Sequence, residues 1–265
     1  MPCSTPDSSR TNLLNGLTEP ARVLVLGATG GIGLALTRQL LAHPAVAHVT
    51  AAARGSGLSE DLAALALQYP ATLTIATADI TQANDLQALA AGLAEPRLHL
   101  VINATGLLHQ EDLAPEKSLA AISTSNLQQV FAVNAYGPVL LAQAMLPLMR
   151  HGAAAVFASL SARVGSIGDN RLGGWYAYRA AKAAQNQLLK TVSIECRRTH
   201  PHLSVQMLHP GTVDSGLSRP FQRAVASEKL FEPARAAKQL LTVIATATPQ
   251  NSGRFVAWDG TEVPW

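Results

Sequence analysis

RVLVLGATGGIG, residues 22–33, is the stretch whose reading decides the fold. Arg22 to Leu26 form a short apolar run of strand type. Gly27, Gly31 and Gly33 then let the chain turn tightly and open a helix whose first backbone amides can face a pyrophosphate. The spacing is GxxxGxG rather than the GxGxxG dinucleotide fingerprint, and any tight strand-to-helix turn needs glycine for its own sake. What strengthens the dinucleotide reading is where this turn stands, at the head of a chain that alternates strand and helix to its end.

Outward from it, the runs AHVTAAAR (47–54), TLTIATAD (72–79), LHLVINATG (98–106), AAVFASLS (154–161), SVQMLHPG (204–211) and RFVAWDG (254–260) read as strands, each a short apolar run closed by a polar residue or glycine. Between them lie helix-forming segments: Gly31–Ala42, Ser59–Gln68, Gln82–Ala94, Ser118–Met149, Trp175–Arg198 and Pro233–Ala247. This alternation predicts an α/β fold, a single-domain, doubly wound parallel sheet of Rossmann-like type with helices on both faces. Ligands in such sheets bind beyond the carboxyl ends of the strands, so Gly27, Arg54, Asp79, Asn103, Ser161 and the His209-Pro210-Gly211 turn are the positions to interrogate.

At 265 residues and 48% hydrophobic content the chain supports one large core. Its net charge of +3 is spread without a basic stripe, which argues against nucleic acid as a partner. Cys3 and Cys196 have neither metal nor disulfide spacing, which fits a reducing cytoplasm. His200-Pro201-His202 reads as a loop, and no metal is expected. Met1 to Leu17, rich in Ser, Thr, Asn and Pro, reads as a flexible extension, so residues 1–20 are expected to precede a catalytic domain over 21–265. No apolar run approaches bilayer-spanning length, so no membrane partner is expected.

Tyr178 and Lys182 sit four apart in WYAYRAAKAAQNQLL and share a helix face. A phenol titrates near ~10, and bringing it to neutrality takes roughly 3 units, or about 4 kcal/mol. One ammonium at ~4 Å in an effective dielectric of ~20 supplies about that much. Ser161 ends the fifth strand, where its hydroxyl could donate to a carbonyl oxygen or a developing alkoxide. Ser159 and Ser166 compete for that role. Asn134, a poor helix former among apolar residues, needs its amide satisfied, either as a structural tie or by holding water beside the lysine.

The second strand ends Ala51-Ala52-Ala53-Arg54, with a guanidinium where NAD sites usually place an acid. Pairing of Arg54 with a 2′-phosphate favours NADP over NAD, a solvent-exposed loop arginine being the alternative. Asp79-Ile80 can receive an adenine amino group, or Asp79 can simply start a turn.

Together these motifs resemble the short-chain dehydrogenase/reductase family, from Arg22 to the C-terminus. The family's TGxxxGIG is LGATGGIG here, with Leu26 for Thr. Its NNAG is Asn103-Ala104-Thr105-Gly106, its YxxxK is Tyr178 to Lys182, its helical Asn is Asn134, and its PG turn is Pro210-Gly211. The resemblance implies a homodimer or homotetramer that moves hydride between NADPH and a small carbonyl or alcohol. It implies Tyr178 as general acid/base, with Lys182 lowering its pKa and binding the nicotinamide ribose. Ser161 would orient the substrate oxygen, and Asn134 would support a proton relay. Gly27, Thr29, Gly31, Ile32, Gly33, Ala104, Thr105, Pro210, Gly211 and Val213 would line the cofactor. The segments GSIGDN, GGWYAYR and WDGTEVPW resemble a carbonyl-reductase-like branch that includes sniffer and C-factor-type proteins. Those relatives also raise a signalling protein that binds the dinucleotide with little turnover. Ser215 to Leu230 reads as a mobile lid, with Trp175, Phe221, Trp258 and Trp265 as candidate apolar walls.

Overall fold

A computed structural model describes residues 12–55 and 59–265. The strands are β1 (Ala21–Leu26), β2 (Val46–Ala53), β3 (Leu73–Thr77), β4 (Leu100–Asn103), β5 (Ala155–Leu160), β6 (Leu203–His209), the short β7 (Thr212–Val213) and β8 (Leu230–Phe231), and β9 (Arg254–Ala257). The helices are α1 (Gly31–Leu41), α2 (Glu60–Gln68), α3 (Ala83–Ala91), α4 (Thr124–Phe131), α5 (Gly137–Met145), α6 (Tyr176–Thr199) and α7 (Pro233–Ala245).

Seven strands form one parallel sheet in the order β3-β2-β1-β4-β5-β6-β9, so the doubly wound fold is observed as expected. The strand order reverses between β1 and β4, and that is where a doubly wound sheet opens a ligand crevice. Side chains alternate across the sheet with period two. Val23 and Val25 of β1 face a core shared with α1 and α7, while Leu24 and Leu26 face one shared with α3, α5 and α6.

Part of the expected flexible extension is instead packed. Leu13, Leu14 and Leu17 are buried in the core beneath α1 and α7, because their apolar area gains more from burial than the short segment loses in backbone freedom. Residues 1–11, with Cys3, lie outside the described residues.

The expected helix Ser118–Met149 is also interrupted. A 3-10 turn (Leu119–Ala121) precedes α4, a π-turn (Ala132–Tyr136) separates α4 from α5, and a second 3-10 turn (Leu146–Met149) ends the run. Pro138 and Pro147 cannot donate to the i−4 carbonyl, which accounts for the change of pitch on either side of α5. Contrary to expectation, an 18-residue window within Thr124–Met149 reaches a mean hydropathy of 1.3, enough by length and composition alone to cross a bilayer. Here it packs as a core helix: Leu141, Ala142 and Met145 are fully buried against the sheet.

Candidate active site

The carboxyl ends of β1, β4, β5 and β6 open into one cavity of about 650 Å³. Its first wall is the turn from β1 into α1. Gly27 has φ of 89°, in the left-handed region. A Cβ on Gly33 would lie 2.1 Å from the Gly27 carbonyl oxygen, so the turn closes only with glycine there. This brings Gly31, Ile32 and Gly33 onto the cavity wall, at a helix end without a side-chain cap. The first amides of α1 have no intrahelical acceptor, and the cradle therefore fits a pyrophosphate.

Ala104, Thr105, Pro210, Gly211 and Val213 also line the cavity. The remaining cofactor candidates stand off its wall. Gly27 and Asn103 shape it from behind, Thr29 is exposed at the turn, and Arg54 is exposed just past β2. Asp79 starts a turn, its Oδ1 accepting from the Thr81 amide at 2.9 Å and the Thr81 hydroxyl at 2.7 Å. Ile80 is buried against Gly137, where a Cβ would come within 2.7 Å of its Cγ1.

Tyr178 and Lys182 lie on the first turns of α6 and face the same cavity, although both are almost fully buried, at 6% and 2% exposed. Lys182 Nζ donates to the Leu160 carbonyl and to Gln185 Oε1, each at 2.8 Å. It lies 5.9 Å from the Tyr178 ring centroid, over the ring. Burial, rather than the neighbouring ammonium, dominates both groups: it pushes the phenol above its ordinary value and pulls Lys182 down to about 7. The expected lowering of the Tyr178 pKa is therefore reversed in the chain by itself.

The lysine carries a consequence for stability. Its folded value lies below its unfolded one, so between about pH 7 and the ordinary lysine range the unfolded chain binds more protons. Stability should rise with pH across that window, by up to about 1.4 kcal/mol per unit. Tyr178 opposes this only at pH values beyond an ordinary phenol's titration. Urea midpoints of cofactor-free wild type and Lys182→Met at pH 7 and 8.5 test it. The wild type should gain about 2 kcal/mol relative to the variant, and a constant difference between the two would contradict the linkage.

A polar network missed in the sequence holds this pair. Asn103 pairs in register with Ser159 across β4 and β5, and Asn103 Nδ2 donates to Ser159 Oγ at 2.9 Å. Gln185 Nε2 donates to the same oxygen at 3.0 Å, linking it to Lys182. Ser161 lines the cavity, and its Oγ donates to Asn186 Oδ1 at 2.7 Å. The Asn186 Nδ2 beside it has no partner among the described residues, so with that amide turned over it donates to Ser161 Oγ and leaves the serine hydrogen for an oxygen in the cavity. Its two competitors are occupied elsewhere, Ser159 in the network and Ser166 with Asp169 and Trp265. Gln185 and Asn186, three and four residues beyond Lys182 in AAQNQLL, were the readable signal, being amides on the buried face of a helix.

Asn134 makes the bonds of a structural tie. Its Nδ2 donates to Val130 O at 2.9 Å and Leu107 O at 2.7 Å, while its Oδ1 accepts from Leu107 N at 3.1 Å. The π-turn is thereby pinned to the loop after β4. Glu116 went unrecognised in a polar run, yet it is 3% exposed and caps α6. Its carboxylate accepts from the Ala177 amide at 3.1 Å, and its carbonyl from Trp175, which takes a left-handed φ of 51°. Holding a tryptophan in that conformation costs about 1–3 kcal/mol, and Glu116 helps to enforce it at the cavity wall.

Of the candidate apolar walls, Trp175 and Phe221 line the cavity, stacked edge to face with centroids 5.0 Å apart. Trp258 packs instead on Phe231, and Trp265 on Phe255. The expected lid segment also stands at the cavity, through Leu217, Phe221 and Val225. Its two ends are fastened together by the parallel pairing of β7 with β8. His209 lines the cavity as well, its Nδ1 accepting from the Arg163 amide at 3.3 Å, and burial draws its pKa down to about 4.

A doubly wound sheet with a buried Tyr/Lys pair facing a glycine-turn crevice defines a Rossmann-like oxidoreductase. The family model for short chain dehydrogenase matches residues 21–226, and the chain belongs to that family. A 1-hydroxy-2-glutathionyl-2-methyl-3-butene dehydrogenase of Rhodococcus sp. is 32% identical over 92% of this chain and 99% of its own. The C-signal protein of Myxococcus xanthus is 35% identical over 56% of this chain and 84% of its own. Among solved structures, the NADPH-bound carbonyl reductase from chicken fatty liver superposes with a TM-score of 0.81 at 26% identity, covering 93% of this chain and all of that one. These relatives place the chain in the carbonyl-reductase-like branch.

Proposed function

We propose that the protein transfers hydride between a nicotinamide dinucleotide, NADP in preference to NAD, and a small carbonyl or alcohol, with Tyr178 exchanging the proton at the substrate oxygen. The observation that carries this is the enclosure of Tyr178 and Lys182 in the one cavity that the β1–α1 glycine turn also lines.

The dinucleotide, when bound, supplies or accepts the hydride. The first turn of α1 would hold its pyrophosphate, and Thr105, Pro210, Gly211 and Val213 would flank it. In its charged form Lys182 has three donors, of which Leu160 and Gln185 use two, leaving one that would meet a ribose hydroxyl. Burial keeps the Tyr178 phenol protonated at neutral pH, ready to donate to a carbonyl oxygen as negative charge develops there. Ser161, positioned by Asn186, would orient that carbonyl oxygen beside the phenol. Asn134 acts through the loop that it pins. Leu108, Trp175 and Phe221 exclude water from the reacting atoms.

Arg54 at the end of β2 supports NADP, since a guanidinium meets a 2′-phosphate with paired hydrogen bonds. Arg54→Asp should lower the NADPH-over-NADH ratio of kcat/KM by roughly 10–100-fold, because it removes a charge-assisted contact and adds repulsion. An unchanged ratio would remove the NADP preference. Exposed Tyr136 and Ile194, each 54% accessible, support assembly as a homodimer or homotetramer through the α4–α5 and α6 faces.

The direct test is NADPH oxidation with a panel of aldehydes, quinones and diketones. The likeness to C-signal supports a second reading, a dinucleotide-binding signalling protein with little turnover. Tight NADPH binding with no oxidation across the panel would favour that reading.

A further inference from the structure

We propose that the cavity selects substrates bearing an anionic group, captured by Arg171 and Arg179 at the rim built from the loop after β5 and the first turn of α6. The location rests on the reductase reading, since this rim adjoins Tyr178.

The cavity is mostly apolar, walled by side chains such as Leu108, Leu172, Trp175 and Phe221. Against that background its charges are unbalanced. Arg163, Arg171, Arg179 and Lys182 all line it, whereas Asp169 is the one acid on its wall among the described residues. Asp169 is already spent on Arg163, with Oδ2 3.1 Å from Nη1. No ion pair among the described residues involves Arg171 or Arg179.

Arg179 is also preorganised. Its Nε donates to the carbonyls of Gly173 and Gly174 at 3.2 and 3.0 Å, and its Nη1 to that of Val164 at 3.5 Å. The guanidinium is thus fixed by the loop, while Nη2 has no protein acceptor among the described residues. Positive charge left uncompensated beside low-dielectric walls raises the local concentration of anions. A guanidinium fork also matches a carboxylate geometrically. The substrate class that fits is a carbonyl compound with an apolar body and a carboxylate or similar anion at its far end. The glycine turn of α1 supplies the separate site for the dinucleotide's pyrophosphate, so the two arginines are not needed there.

Arg171 is exposed and Arg179 ties the loop, so Arg171→Gln is the variant that leaves the fold alone. The probes are 4-carboxybenzaldehyde and its methyl ester, reduced with NADPH. Wild type should prefer the carboxylate by roughly 10-fold in kcat/KM, and Arg171→Gln should erase most of that preference while changing the ester by less than about 3-fold. Preference for the ester in wild type, or a parallel loss for both with weakened NADPH binding, would overturn the proposal; the latter would assign the arginine to the cofactor. Quenching of tryptophan emission by benzoate against benzamide reads the same preference without turnover. Equal affinities would overturn the anion site even in an active enzyme. Tighter benzoate binding in a protein that reduces neither aldehyde would uphold the site and sink the reductase reading instead.

Discussion

Replacing Tyr178 by Phe should lower kcat/KM for carbonyl reduction by roughly 10³-fold while NADPH affinity stays within about 2-fold of wild type. The change removes one oxygen and keeps the ring. That ring packs edge to face on Trp175 at 6.3 Å and is nearly buried, so the site should keep its shape. Lys182 would also be undisturbed, because its bonds run to Leu160 and Gln185 rather than to the phenol. A loss confined to the proton-transfer step, with binding intact, is what a general acid predicts. If the variant retains more than about a tenth of wild-type activity, the proton comes from elsewhere, and the reading of the cavity must be rebuilt.

The second large effect belongs to the glycine turn between β1 and α1. Gly33→Ala should destabilise the fold by about 3 kcal/mol or more, because the new methyl group would overlap backbone atoms that cannot swing aside. Its Cβ would lie 2.1 Å from the Gly27 oxygen and 2.8 Å from the Gly27 carbon. For a chain of this size that means a fall of about 10 °C in Tm. Gly152→Ala is the matched control, since a Cβ there meets nothing within 4 Å. Similar melting curves for the two variants would show that the β1–α1 turn is not closed as described.

These two residues also show how much the sequence discloses. The glycine turn, the strand–helix alternation and the Tyr178–Lys182 spacing were all legible, because each is a local pattern whose geometry follows from a few neighbouring residues. The parallel sheet follows from them through the general handedness and crossover rules. What was not legible depends on contacts between distant segments. Glu116 reaches Ala177, and Asn103 reaches Gln185 through Ser159; no spacing along the chain announces such partners. The direction of the Tyr178 pKa was misread for a related reason. Spacing on a helix reveals that a cation is near, but not that the surrounding fold strips water from both groups, and here desolvation outweighs proximity. Ser161 lines the cavity at the end of the fifth strand, yet no spacing announces its contact with Asn186 on α6. The leucines at 13, 14 and 17 were hidden by the polar composition around them.

The pairing of Thr212–Val213 with Leu230–Phe231 makes the intervening segment a cassette clipped at both ends to the same point. Such a clip lets the insert vary in length and composition without disturbing the sheet beneath it. A different insert between the same two ends would therefore reshape the mouth of the crevice while leaving Tyr178 and Lys182 where α6 holds them.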